Sequence, residues 1–91
     1  VQLKEEKMTS KKKIEEVWQK GAEIKDKNPD NWRKDSEGKI IRKGSFGTHG
    51  DYGWEIDHKK PIAKGGTDDP RNLQPLHWEP NREKSDKHPK K

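Results

Sequence analysis

Four tryptophans, at positions 18, 32, 54 and 78, carry most of what this chain can bury. Only 22% of its 91 residues are hydrophobic, while 43% are charged. That balance approaches the composition of chains that stay disordered because burial does not offset their conformational entropy. Each tryptophan buries roughly 200 Å², so the expected product is one small, thin-cored domain that needs a staple. There are no cysteines, so neither a disulfide nor a thiolate zinc site supplies it. Their absence fits a reducing cytoplasm, which is the expected location. No apolar run is long enough to span a membrane, and none reads as a signal peptide. A net charge of +5 points to a polyanionic partner.

Along the chain, residues 1–9 read as a flexible polar segment. A helix is expected from Ser10, capped by Ser10 or Thr9, because Ile14, Val17, Trp18 and Gly21 recur on one face. Asn28-Pro29-Asp30 ends that segment, and the Val17–Trp18 stripe is expected to pack on the domain. The rest of 10–53 reads as irregular support, with a turn at Glu37–Gly38, a short strand at Ile40–Ile41 and a glycine-rich loop at 47–53. The stretch Gly53-Trp-Glu-Ile-Asp-His-Lys-Lys-Pro61 then alternates apolar and polar residues like a half-buried strand over 54–58. A long connection turns at Gly65–Gly66. A second strand follows over 72–76, with Pro75 marking it as an edge. From Trp78 a helix is expected, with Pro80 in its first turn, Glu79 at the positive end of its dipole and Lys84 and Lys87 toward the other. Residues 54–88 form the expected core unit and 89–91 a basic tail.

The strand ends in Asp57-His58, a pairing ill suited to a core. Phosphodiester hydrolysis needs a hard divalent cation to stabilise charge and a base to take a proton from water. Carboxylate and amide oxygens suit Mg²⁺ or Mn²⁺, and a base titrating near neutrality points to histidine. Asp57, His58 and Asn81 supply these functions if the strand end meets the start of the helix. Read from spacing alone, a surface pair in which Asp57 merely orients His58 stands as the alternative.

Residues 54–86 as a whole resemble the HNH, or ββα-metal, endonuclease motif. Four pieces coincide in order: the strand ending in Asp-His-x-x-Pro, the Gly-Gly turn with trailing acids, the Asn72-Leu73 opening of the second strand, and Asn81-Arg-x-Lys-Ser-Asp on the helix. Tyr52-Gly-Trp-Glu-Ile-Asp-His58 and Leu73-Gln-Pro-Leu-His-Trp-Glu-Pro-Asn81 look like a cysteine-free bacterial and phage-type subgroup. The resemblance implies an α+β fold, a small single domain with an N-terminal helix and a C-terminal ββα-metal unit. It implies that His58 is the general base, that Asp57 and Asn81 hold one divalent ion (Mg²⁺, Mn²⁺ or another), and that Asn72 ties the loop and keeps His58 oriented. It also implies DNA as substrate, most naturally double-stranded, with 5′-phosphate and 3′-hydroxyl products.

Many relatives carry cysteine knuckles for a structural zinc. Here His77 and Pro80 on one side, and the loop before Tyr52 on the other, take their place. His49, His77 and His88 lack the spacing of a local metal clip, so a structural zinc is not expected; Trp54 and Trp78 are expected to provide the packing instead. Asp68 and Asp69 read as caps of the turn before Pro70, and His77 as a structural or groove-lining residue. Arg82 and Lys84, beside the expected ion, suit phosphate contacts, as do Lys59, Lys60 and Lys64 along the connecting loop. No recognition helix is apparent, so low specificity is expected, or specificity lent by a protein partner or a homodimer. Two rival readings are a non-catalytic nucleic-acid-binding module on the same scaffold, and an interaction domain built on the 10–27 helix.

Overall fold

Ser10 starts the first element as a cap should. Its backbone is extended, and its side chain accepts a hydrogen bond from the Lys13 N–H at 3.1 Å. The computed structural model describes residues 10–81, and helix α1 spans Lys11–Trp18. The expected helix out to residue 27 is thus cut short. Gly21, a weak helix former, is buried so tightly that a Cβ there would stand 3.1 Å from the Arg33 Cβ. The backbone beyond it is claimed by a sheet. Strand β1 (Ala22–Glu23) pairs antiparallel with β2 (Trp32–Lys34), which pairs antiparallel with β3 (Ile40–Arg42).

The middle region is accordingly more regular than its sequence implies. The turn at Glu37–Gly38 is where it was expected. What closes it is Asp35, whose Oδ1 accepts from the Glu37 N–H at 2.9 Å and the Lys39 N–H at 2.8 Å.

Strands β4 (Trp54–His58) and β5 (Leu73–His77) form a separate two-stranded antiparallel ribbon, in register from Trp54 opposite His77 to His58 opposite Leu73. Pro75 lacks an N–H, and an edge strand tolerates that. Residues 78–81 are helical. None of the helices among the described residues is long and apolar enough to cross a membrane.

The core lies between α1, β3 and this ribbon: Val17, Trp18, Ile41, Trp54 and Leu73, with Ile14, Phe46 and Ile56 packed against it. Trp18 and Trp54 meet at 5.3 Å between ring centroids, and Phe46 meets Trp54 edge-on at 4.9 Å. Both buried indoles keep a partner for their N–H, at Pro29 O and Lys43 O. The other two tryptophans lie outside this core. Trp32 packs edge-to-face with Tyr52, and Trp78 stacks on His49.

Two charged side chains, Arg33 on β2 and Asp35 just after it, complete the interior. Arg33 is buried and donates to the carbonyls of Pro29 and Gly21 at 3.0 and 2.9 Å, tying the end of α1 to the sheet. Asp35, also buried, uses its second oxygen to accept from the His77 N–H at 2.8 Å. One carboxylate therefore closes a hairpin and fastens it to the ribbon. Removing it leaves three backbone donors without their acceptor. Asp35→Ala is expected to lower the free energy of urea unfolding by about 3 kcal/mol, and Ser36→Ala, exposed on the same turn, by less than about 0.5 kcal/mol.

Candidate functional site

Alternation along β4 divides its side chains between the two faces of the ribbon. Trp54 and Ile56 turn toward the core, and His58 follows them on that side. Glu55 and Asp57 leave the opposite face. The adjacent Asp57 and His58 therefore leave opposite faces of the ribbon at the end of the strand.

On the outer face, Asp57 is buried and its Oδ2 accepts from Gln74 Nε2 at 2.8 Å, across the register that pairs these two residues. Asn81 reaches the same face from the helical residues 78–81. Its Nδ2 donates to Glu55 Oε1 at 2.6 Å. A carboxylate can only accept here, so this contact fixes which end of the Asn81 amide is NH₂ and which is the carbonyl oxygen. Among the described residues no three acidic, histidine or cysteine side chains converge as a metal cage. The donors gathered on this face are all oxygens, from Asp57, Glu55 and Asn81, and hard divalent cations prefer that chemistry. Glu55 and Gln74 were not singled out from the sequence. The period of two that places Glu55 beside Asp57 was the signal available for it.

On the other face, His58 Nε2 lies 2.6 Å from Asp68 Oδ1. This corrects the reading of Asp68 as a cap of the following turn. Only Asp69 has that role, accepting from the Arg71 N–H at 2.9 Å and pairing with the Arg71 guanidinium at 2.8 Å. The bond to His58, with help from the nearby charge of Lys13, holds the Asp68 carboxyl below its ordinary value.

Asn72 ties the loop together. Its Nδ2 donates to the carbonyls of Lys60 and Thr67 at 3.1 and 2.8 Å, and its Oδ1 accepts from the Lys60 N–H at 2.8 Å. The loop passes so close to itself that a Cβ at Gly66 would stand 1.8 Å from the Lys60 carbonyl oxygen, so only glycine fits.

His77 is structural: its Nε2–H donates to the Asp51 carbonyl at 2.8 Å and its Nδ1 accepts from the Glu79 N–H at 3.1 Å. Trp78 Nε1 donates to the Gly50 carbonyl at 2.7 Å. Together they join the glycine-rich loop to the end of β5, the two places compared above with cysteine knuckles. Lys59, Lys60 and Lys64 are exposed along the connection. Arg82 and Lys84 lie outside the described residues.

Residues 43–87 match the family model described as HNH endonuclease. This stretch of the chain is an HNH domain. It takes in the ribbon, the Asn72 loop and residues 78–81, and it begins just after β3. No curated protein and no solved structure matches the chain.

The Arg71 guanidinium and the Arg71 backbone N–H together hold the Asp69 carboxyl down at about 2, from an ordinary 3.8. A depressed carboxyl stabilises the native loop above pH 3.8 and loses that contribution as pH falls through about 2. A carboxyl-carbon NMR titration is expected to find a midpoint about that low for Asp69, and a return toward the ordinary value in Arg71→Ala.

Proposed function

We propose that the chain is a divalent-metal-dependent endonuclease that hydrolyses DNA phosphodiester bonds with its HNH domain. The observation that carries this reading is the division of labour on one ribbon. Oxygen donors from β4 and the following helix share one face, while a histidine held by a carboxylate ends the same strand. In this reading β4, β5 and the helix entered at Trp78 are the ββα-metal unit, and residues 10–53 are its buttress.

Asp57 and Asn81 would hold one Mg²⁺-class ion. When bound, it supplies charge stabilisation for the phosphate and the leaving oxygen. The chain's own residues do the rest. Gln74 fixes the rotamer of Asp57, and Glu55 turns the Asn81 amide so that its carbonyl is the ligand atom. His58 takes the proton from the attacking water. Asn72 keeps the loop closed around that histidine. Lys59, Lys60 and Lys64, with Arg82 and Lys84, contact backbone phosphates, so binding weakens with salt and carries little sequence information. With only two protein ligands, the ion binds more tightly when DNA is present than when it is not.

Supercoiled plasmid incubated with the protein is expected to be nicked in Mg²⁺ or Mn²⁺ and to stay intact in EDTA. His58→Ala should lower the rate by about 100-fold or more. Shifted but uncut DNA under every metal would instead indicate a binding module on the same scaffold. Asn81→Ala should raise the Mg²⁺ concentration for half-maximal cleavage by roughly 10-fold, with a smaller rise for Glu55→Gln, read from metal titrations.

A further inference from the structure

The Asp68–His58 contact spans ten residues of sequence and has no counterpart in the local geometry of the strand. It exists because the loop is pinned on both sides of Asp68. Before it, the Thr67 carbonyl accepts from Asn72 Nδ2 at 2.8 Å. After it, the Asp69 N–H donates to Thr67 Oγ1 at 3.2 Å, and Asp69 is locked to Arg71. Gly66 allows the chain to press against Lys60 just upstream. The loop thus delivers one carboxylate to one imidazole nitrogen at 2.6 Å, although the Asp68 side chain itself is 71% exposed.

We infer that Asp68 is the positioning residue of His58, the member of an Asp–His pair that sets the ring's orientation and tautomer. This rests on the endonuclease reading of the site and deepens it. As a carboxylate, Asp68 can only accept, so Nε2 carries the proton and the lone pair sits on Nδ1. Nδ1 is then the atom that takes the proton from water. The water O–H bond breaks and the Nδ1–H bond forms. The oxygen attacks phosphorus as the bond to the 3′ oxygen breaks, and the leaving oxygen takes a proton from solvent. The imidazolium that results is stabilised by Asp68. Asn72 therefore acts on His58 at one remove, by holding Thr67 and so aiming Asp68.

The test is a double-mutant cycle with an independent spectroscopic readout. Asp68→Ala is expected to lower kcat by about 10- to 100-fold with little change in KM for DNA. Asp68→Glu should recover part of that loss. On the His58→Ala background, Asp68→Ala should have less than about a 3-fold further effect, because the carboxylate then has no ring to hold. In the metal-free, DNA-free protein, NMR should show a hydrogen-bonded His58 Nε2–H proton that disappears in Asp68→Ala. An unchanged kcat, or an equal loss on both backgrounds, would overturn the inference. So would a wild type without the Nε2–H signal. If the wild type cleaves nothing under any divalent ion, the endonuclease reading fails, while the imidazole signal still decides whether Asp68 holds the ring.

Discussion

The buried carboxylate of Asp35 is the contact on which the rest of the molecule depends. A chain this poor in aliphatic residues cannot hold two small sheets together by apolar burial alone. The five residues of the core cluster are already shared among α1, β3 and the ribbon. Asp35 joins the two sheets by accepting from N–H groups of the β2–β3 turn and of β5, and Arg33, two residues earlier on β2, does the converse with carbonyls around α1. Buried charges are costly unless fully hydrogen-bonded. These two are, and among the described residues no buried side-chain polar atom lacks a partner. Their geometry leaves little choice of packing, which a few greasy contacts would not ensure.

That polar frame reaches the functional end through His77. Its N–H is held by Asp35, and its ring and the neighbouring Trp78 hold the glycine-rich loop. The start of the helix that carries Asn81 is therefore fixed in direction. The same ribbon then carries different side chains on its two faces. One gathers oxygen donors, buried or half-buried at Asp57, Glu55 and Asn81. The other sets His58 against the Asn72 loop. A rigid strand keeps these two sets of side chains apart more reliably than a loop, because side-chain direction follows from the pleat.

Much of the ribbon was legible in advance. Alternation over 54–58 and the turn residues that follow mark β4 and its connection. Asn72 bonds backbone groups on both sides of the loop, and a side-chain amide is the natural tie in a long turn. Ser10 was a readable cap, and Val17–Trp18 a readable buried stripe. The middle was harder. Strand β2 is three residues with two cations and one tryptophan, and its period is invisible because its inward residue is an arginine. Helix α1 is shorter than its apolar spacing suggests, because it ends at Trp18 and Gly21, a weak helix former, packs against Arg33. Asp68 looked like a turn cap because caps are local, whereas its partner is brought by a closed loop.

The sequence by itself determined the family of the segment 43–87 and the kind of frame. The order of Asp57, His58, Asn72 and Asn81 places this segment within the HNH family, and the want of cysteine and aliphatic residues requires a small core held by aromatic rings and polar contacts. These follow from residue type and spacing, which need no partner in space. The tertiary structure alone decided who holds whom: Asp35 to His77, Glu55 to Asn81, Gln74 to Asp57 and Asp68 to His58. Each joins residues at least ten apart in the chain. Such pairs are selected by loop closure and strand register, and neither leaves a local signature on the residues involved.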